Sequence, residues 1–251
     1  MKILTTGVKS GLGRFLHEQL GGLGLYRNSD IFKEEHLKLI DVIIHCAFNP
    51  RKIVDSQSQY SFLQDNILLT HRLASLPHKK FIYISSVDVY PKNGKKCSED
   101  DYINIETIDS LYGAFKLFAE SIIVNNCKNL LIIRPGLLLG KYMRKNNLLR
   151  LITEEDSALS LTEESTFNGV LYSDILSFIE IAVHNDLTGI YNAVSNDNIT
   201  LEKLAADFGR NVSFGNFTYT TPPISNKKIT GVCKVFSKST TSVIEELLKE
   251  L

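Results

Sequence analysis

Short apolar runs alternate along the chain with longer segments in which apolar residues recur at helical spacing. The runs are continuous, as is typical of parallel strands buried on both faces of a sheet. They predict strands at residues 2–6, 23–27, 41–47, 80–85, 129–134 and 189–193. Because helical segments separate these strands, the pattern predicts a doubly wound α/β fold with a parallel sheet.

Helical periodicity marks most of the remaining chain. Phe15, Leu16, Gln19 and Leu20 predict a helix directly after the first strand. Further helices are predicted at residues 59–75, 109–125, 145–153, 173–184, 200–209 and 241–250, and a brief helix or loop at residues 34–39. The pattern loosens from about residue 141, which predicts a change of organisation near that point.

A glycine-rich turn joins the first strand to the first helix. Gly7, Gly11 and Gly13 follow the strand directly, with Ser10 and Leu12 between them. Glycines permit a tight turn and a close approach of the backbone to phosphate, and a helix N-terminus presents N–H groups to an anion. The segment predicts a pyrophosphate cradle, and an ordinary strand-to-helix turn is the alternative.

Tyr112 and Lys116 lie four residues apart in a predicted helix, and Ser86 ends an apolar run upstream. Residues at i and i+4 share one helix face. A neighbouring ammonium favours the phenolate, so we expect Lys116 to lower the pKa of Tyr112. With Ser86 beside the phenol, the three side chains predict a site that moves a proton on and off a carbonyl or alcohol oxygen.

Composition and charge narrow the classes of function. The 251 residues carry 28 Lys and Arg against 28 Asp and Glu, so nothing indicates a nucleic-acid or membrane-surface partner. No apolar run has the ~18 residues of a membrane span. Cys46, Cys97, Cys127 and Cys233 are scattered without metal-ligand spacing. We expect a cytoplasmic protein with reduced cysteines and no metal.

Six segments resemble, in order, the extended short-chain dehydrogenase/reductase family, the NAD-dependent epimerase/dehydratase group that acts mainly on nucleotide sugars. They are residues 6–13, 41–47, 66–73, 81–90, 112–120 and 134–140. The resemblance implies an NAD(P)-binding Rossmann domain at residues 1–140. It also implies a small substrate-binding region at residues 141–251, interleaved with the end of the Rossmann sheet.

The resemblance carries specific roles onto residues of this chain. The catalytic residues it implies are Ser86, Tyr112 and Lys116. The cofactor-binding residues it implies are Gly7, Ser10, Gly11, Leu12, Gly13, Cys46, Ala47, Asn66, Tyr112, Lys116, Pro135 and Gly136.

The second strand departs from the family pattern. The acidic residue that would accept the ribose hydroxyls of NAD is missing, and Arg27 stands at the strand end. Because guanidinium pairs well with phosphate, Arg27 favours NADP, with NAD still possible. A solvated Arg27, with Asp30 as the ribose ligand, is the alternative.

Further departures bear on the reaction. The related 4,6-dehydratases carry an acid where this chain has Val87, so dehydration is less favoured here. Asp88 is either a base or a partly exposed residue at the strand end. Leu137 replaces the asparagine usual in UDP-sugar epimerases. Arg51, Arg144 and Arg150 are candidate partners for a substrate diphosphate, and for each one taken singly a solvated surface role is the favoured alternative.

Together the resemblance implies an NAD(P)-dependent oxidoreductase or epimerase that acts on a nucleotide-linked keto or hydroxy sugar. Two alternatives remain: a reductase of a non-sugar carbonyl, and a non-catalytic cofactor-binding or sensor protein of the same fold. The family also implies a homodimer built from the helices at residues 59–75 and 109–125.

Overall fold

A computed structural model describes residues 1–27, 40–51 and 54–250. The strands are β1 (Ile3–Thr6), β2 (Leu23–Leu25), β3 (Ile40–His45), β4 (His78–Ile84), β5 (Leu130–Pro135), β6 (Leu137–Leu139), β7 (Asp156–Ala158), β8 (Thr166–Phe167), β9 (Gly169–Leu171), β10 (Gly189–Ala193), β11 (Ile199–Thr200) and β12 (Asn211–Ser213). The α-helices are α1 (Gly11–Leu20), α2 (Gln59–Leu63), α3 (Leu69–Ala74), α4 (Leu111–Asn126), α5 (Asn147–Thr153), α6 (Tyr172–His184), α7 (Leu201–Asp207), α8 (Lys227–Val232) and α9 (Thr240–Glu250).

The main sheet is parallel throughout its described part, in the order β10-β5-β4-β3-β1-β2. From β1 the chain adds β2 on one side, and it adds β3, β4, β5 and β10 on the other. The order of strand addition therefore reverses between β1 and β3. Ligands of open α/β sheets bind outside the carboxyl ends of the strands at such a switch point. This order confirms the predicted doubly wound fold and locates the crevice after Thr6 and His45.

Alternate residues of each strand enter two different cores, which explains the continuous apolar runs. Ile3, Ile44 and Ile82 pack with α1 and α6 on one face, while Leu4, Ile43, Phe81 and their neighbours pack with α3 and α4 on the other. A further core joins α5, α7 and α9, with Leu151, Leu204 and Val243 among its buried members.

The predicted helix at residues 59–75 is divided into two α-helical segments with a π-helical segment between them. A π-helix at Gln64–Leu68 separates α2 from α3. The extra residue per turn brings Asp65 and Asn66 toward the segment after β3, where both make hydrogen bonds. Such π-turns occur frequently at functional sites.

The other predicted helices and strands are confirmed with small shifts of their ends, and the second strand ends at Leu25. Three two-stranded sheets, β6–β9, β7–β12 and β8–β11, were not predicted, because strands of two or three residues carry no periodic signal. The prediction for residues 34–39 lies outside the described residues. In the described part of the chain, no helix is long and apolar enough to cross a membrane.

Candidate active site

Helix α4 begins against the turn that follows β4, which brings Tyr112 to Ser86. The side chain of Ser110 caps the helix by accepting a hydrogen bond from Gly113 N at 3.0 Å. A Cβ on Gly113 would lie 2.1 Å from the carbonyl oxygen of Asp88. Only glycine therefore permits this approach of the helix to the 3-10 turn at Val87–Val89.

Ser86 lies beside Tyr112, and its hydroxyl acts to lower the pKa of the phenol. Ser86 Oγ also accepts the backbone N–H of Asp88 at 3.1 Å, which fixes the serine side chain. A substrate oxygen placed between the two hydroxyls could accept a hydrogen bond from each, and one of them could then transfer its proton as a general acid.

Lys116 is buried on the same helix face as Tyr112, and its ammonium donates to the carbonyl oxygen of Ile84 at 2.7 Å. The nitrogen lies 4.2 Å from the ring centroid of Phe48 and 5.8 Å from that of Tyr112. Burial disfavours the ammonium and lowers the pKa of Lys116 to about 7, with nearby Cys46 and Glu120 acting in the opposite direction.

The pKa of Tyr112 is raised, whereas the sequence led us to expect that Lys116 would lower it. Burial is the main cause, the charge of Asp88 adds to it, and the hydrogen bond from Ser86 opposes it. Burial of the phenol therefore sets the direction of the shift, and Lys116 is not among its causes. At neutral pH the phenol is protonated and can donate a proton.

The glycine-rich turn packs closely against the ends of β1 and β3. Gly7 has a φ of +76°, and a Cβ there would lie 3.1 Å from Ala47 N. Gly11 has a φ of +56° and opens α1. A Cβ on Gly13 would lie 2.7 Å from the carbonyl oxygens of Gly7 and Thr6, so this glycine allows α1 to approach β1.

Two adjoining cavities lie along this edge of the sheet. The larger, of about 970 Å³, extends from the glycine-rich turn to Arg27, and the smaller, of about 410 Å³, reaches Tyr112 and Lys116. Their shared lining is Gly7, Ser10, Ala47, Phe48, Pro50 and Arg144. The basic side chains that line the larger cavity are Lys9, Arg27, Arg51, Arg72 and Arg144. The two cavities together suit an elongated anionic ligand.

Most of the predicted cofactor residues line these cavities. Gly7, Ser10, Arg27 and Ala47 line the larger one, and the smaller is lined by Gly7, Ser10, Gly11, Leu12, Gly13, Cys46, Ala47, Tyr112 and Lys116. Asn66 is buried instead, with its side chain bound to the backbone of Asn49. In the described structure, Pro135 and Gly136 also lie apart from both cavities, at the end of β5.

Arg27 forms an ion pair with Asp65, which also accepts a hydrogen bond from Asn49 Nδ2 at 2.8 Å. The guanidinium side chain remains 72% exposed and lines the larger cavity. Arg51 and Arg144 line that cavity too, whereas Arg150 pairs with Glu154. Asp30 lies outside the described residues.

A buried hydrogen-bond chain, which the sequence analysis missed, fixes the backbone after β3. Thr70 Oγ1 donates to Asn66 O at 2.8 Å, so it accepts from His45 Nε2 at 2.9 Å. His45 Nδ1 then accepts from Thr6 Oγ1, and Thr6 Oγ1 accepts from the backbone N–H groups of Cys46 and Ala47. Burial lowers the pKa of His45 to about 3, consistent with this neutral tautomer.

Other side chains at the site were also missed. Phe48 packs edge-on against Tyr112, with ring centroids 5.1 Å apart. It directly follows the predicted strand at residues 41–47, and this position at the strand end could have marked it as a site residue. Tyr219 donates to Asp88 Oδ1 at 3.0 Å from 131 residues away, a distance along the chain at which no local pattern gives a signal. The described cysteines are free thiols, and the described residues contain no cluster of three metal-ligating side chains.

The sequence profile of the NAD dependent epimerase/dehydratase family matches residues 4–157, more than half of the chain. The chain belongs to this family. The match spans the glycine-rich turn, Ser86, Tyr112 and Lys116, so the resemblance identified from these motifs is confirmed. No curated protein matches this member of the NAD dependent epimerase/dehydratase family.

Solved structures of similar fold match this family member over nearly its whole length. UDP-glucuronic acid 4-epimerase from Bacillus cereus, in complex with UDP-glucuronic acid and NAD, is 20% identical with a TM-score of 0.76, covering 98% of this chain and 97% of the other. dTDP-4-dehydrorhamnose reductase from Bacillus anthracis strain Ames, in complex with NADP, is 19% identical with a TM-score of 0.77, covering 99% of each chain. The corresponding reductase from Clostridium acetobutylicum is 17% identical with a TM-score of 0.75, covering 99% of each chain. At these identities the likeness confirms the fold.

Proposed function

We propose that this chain is an NAD(P)-dependent oxidoreductase or epimerase that acts on a nucleotide-linked keto or hydroxy sugar. The observation that carries the proposal is the meeting of Tyr112 and Lys116 at one end of the paired cavities, with buried Ser86 beside Tyr112. Family membership and the similar nucleotide-sugar enzymes support it. Residues 1–140 would hold the cofactor and residues 141–251 would supply the substrate-binding region.

The cavity lining fits a dinucleotide. The backbone at Gly7 and at residues 10–13 would hold the diphosphate, since added Cβ atoms at Gly7 and Gly13 would meet neighbouring backbone. Cys46 and Ala47 would border the nucleoside, and Arg27 would meet a 2′-phosphate. The bound cofactor supplies or accepts the hydride.

The chain's own residues manage the proton and the substrate. Tyr112 donates a proton to the carbonyl oxygen in reduction and removes it in oxidation, while Ser86 hydrogen-bonds the same oxygen. Lys116, above the ring of Phe48, places its amino group on the same helix face as the phenol. Arg144, which lines both cavities, and Arg51 would bind a substrate diphosphate.

An activity screen tests the proposal. The purified chain is incubated with NADPH or NADH and a panel of nucleotide-linked 4-keto sugars, free keto sugars, quinones and steroid ketones. We expect cofactor oxidation with a nucleotide-linked sugar, and proton NMR of the products separates reduction from epimerisation. Turnover confined to non-sugar carbonyls would reject the substrate class, and tight cofactor binding without turnover of any substrate would reject the enzyme.

Arg27 is expected to set the cofactor preference. A charge-assisted contact with the 2′-phosphate should make NADPH bind more tightly than NADH by roughly 1.5–3 kcal/mol. Arg27→Ala should remove most of this difference and leave NADH affinity nearly unchanged, as measured by fluorescence titration. Arg14→Ala is the matched control, because Arg14 pairs with Glu18 on α1. Tighter binding of NADH by the wild type would contradict the assignment.

A homodimer is expected through α2, α3 and α4. Leu63 and Phe118, which are 44% and 49% exposed, give these helices an apolar surface that a second copy would cover. Light scattering at micromolar concentration should give twice the chain mass, and Phe118→Glu should give the monomer. Val232→Glu, at an exposed apolar residue on α8, should leave the dimer intact. A wild-type monomer would refute the expectation.

A further inference from the structure

Asp65 is a carboxylate that the π-helix between α2 and α3 brings to the end of β2. Its Oδ2 pairs with the guanidinium of Arg27, which follows β2, although the two residues are 38 positions apart along the chain. The second strand and the two residues after it, residues 23–27, contain no acid. The tertiary structure therefore supplies, from another element, a carboxylate at the place where the strand itself lacks one.

The Asp65 carboxylate is held in place without the help of Arg27. Asn49 Nδ2 donates to the same Oδ2 at 2.8 Å. Asn49 is fixed in turn by buried Asn66, whose Oδ1 accepts from Asn49 N at 2.6 Å and whose Nδ2 donates to Asn49 O at 3.1 Å. The Arg27 side chain is 72% exposed and that of Asp65 only 24%. The guanidinium can therefore move while the carboxylate stays where it is.

Arg27 and Asp65 both line the larger cavity, whose lining also includes Gly7 of the glycine-rich turn. Leu68 and Leu69 contribute apolar surface to the same lining and suit the flat face of a base. With a dinucleotide diphosphate at the turn, as proposed above, the adenosine half extends toward Arg27. Its ribose is then the part of the ligand that meets the Arg27–Asp65 pair.

The two charged side chains favour different groups on the ribose 2′ carbon. A carboxylate only accepts hydrogen bonds, so it can bind a 2′-hydroxyl and repels a 2′-phosphate, which carries about two negative charges. A guanidinium only donates and binds the phosphate by charge-assisted hydrogen bonds. Among the described residues, Arg27 and Asn49 both bind Asp65 through Oδ2, so a ligand hydroxyl can use Oδ1.

We infer that Asp65 accepts the 2′-hydroxyl of the adenosine ribose, so that the Arg27–Asp65 pair distinguishes NAD(H) from NADP(H). With NAD(H), the hydroxyl binds Asp65 while Arg27 stays paired. With NADP(H), Arg27 binds the phosphate, and the neighbouring carboxylate opposes the phosphate charge. Asp65 therefore narrows the preference for NADP(H) that Arg27 creates, and the site accepts both cofactors. The identity of the ligand rests on the proposed function.

Binding of two cofactor fragments tests the inference without turnover. ADP-ribose and 2′-phospho-ADP-ribose lack the nicotinamide and differ only at the 2′ position, and calorimetry measures their affinities. Asp65→Asn keeps the side-chain shape and an acceptor for Asn49 but removes the charge. It should weaken ADP-ribose binding on the order of tenfold and tighten binding of the 2′-phospho form. Asp207→Asn, which breaks an ion pair with Lys203 outside both cavities, is the matched control and should change neither affinity.

A double variant separates a direct contact from an effect through Arg27. In the Arg27→Ala background, Asp65→Asn should weaken ADP-ribose binding by a similar factor, because the hydroxyl meets the carboxylate itself. A loss that occurs only when Arg27 is present would mean that Asp65 merely orients the guanidinium. That result would overturn the inference.

Two further outcomes would also overturn it. Unchanged affinities for both fragments in Asp65→Asn, with a fold confirmed by circular dichroism, would reduce the ion pair to a link between β2 and the π-helix. Loss of ADP-ribose affinity in Asp30→Asn in place of Asp65→Asn would assign the ribose to Asp30. These failures leave the proposed cofactor site standing. A wild type that binds neither fragment would instead refute that site, and the inference with it.

Discussion

Tyr112→Phe should lower turnover at least ~10²-fold while NAD(P)H affinity stays nearly unchanged. The substitution removes the hydroxyl that lies beside Ser86 and keeps the ring that packs against Phe48. Since the loss falls on proton transfer rather than on packing, kcat should account for most of it. Steady-state kinetics with the substrate found in the screen, together with cofactor fluorescence titration, measure both quantities.

Tyr102→Phe is the matched control for this experiment. Its side chain is 93% exposed, so losing its hydroxyl should leave both turnover and cofactor affinity unchanged. Thermal unfolding of the Tyr112 variant should stay close to that of the wild type. Turnover at the wild-type level in folded Tyr112→Phe would refute the proposed mechanism.

Gly11→Val should weaken NAD(P)H binding at least about tenfold, or about 1.4 kcal/mol. The new side chain would project at the start of α1, in the lining of the smaller cavity, where the pyrophosphate is expected. A Cβ at Gly11 meets only the Tyr172 hydroxyl, at 3.3 Å, among the described atoms within 4 Å. Fluorescence titration of the cofactor measures the loss.

Backbone strain must be separated from loss of the cradle. A residue other than glycine in the left-handed region costs about 1–2 kcal/mol, and Gly11 has a φ of +56°. Gly209→Val is the matched control, because Gly209 has a φ of +59° and no described atom within 4 Å of an added Cβ. It should show similar strain with normal cofactor affinity. Equal affinity in Gly11→Val and the wild type would mean that the cofactor binds elsewhere.

Gly13→Val should behave differently from Gly11→Val. Its Cβ would lie 2.7 Å from two backbone oxygens of β1 and the turn, so the helix itself would have to move. We expect reduced stability along with the loss of binding, visible as a lower unfolding temperature. The contrast separates a glycine needed for close packing of α1 from one at the phosphate site.

Several features of the fold and site followed from local sequence. Continuous apolar runs identified the central strands because each strand of this sheet enters a core on both faces. The glycine-rich turn could be recognised because its positive φ angles and its close contacts with neighbouring backbone require glycine, which is visible in the sequence. Tyr112 and Lys116 share a helix face by spacing alone, and the end of a strand placed Ser86 at the same sheet edge.

Only the tertiary structure decided how those groups are charged and partnered. The sequence predicted a lowered pKa for Tyr112, whereas burial and Asp88 raise it. The sequence suggested Arg27 as a phosphate ligand but did not reveal that Arg27 forms an ion pair with Asp65. It also did not decide whether Asp88 is a base or a partly exposed strand-end residue.

The physical reason lies in the range of the interactions. Strand, helix and turn patterns depend on a residue and its near neighbours, so the sequence by itself determined the order of the elements and the residues that carry the chemistry. Desolvation and charge pairing depend on everything that packs around a group, including Tyr219, 131 residues from its partner Asp88. The tertiary structure therefore decided the protonation and orientation of the side chains that the sequence had identified.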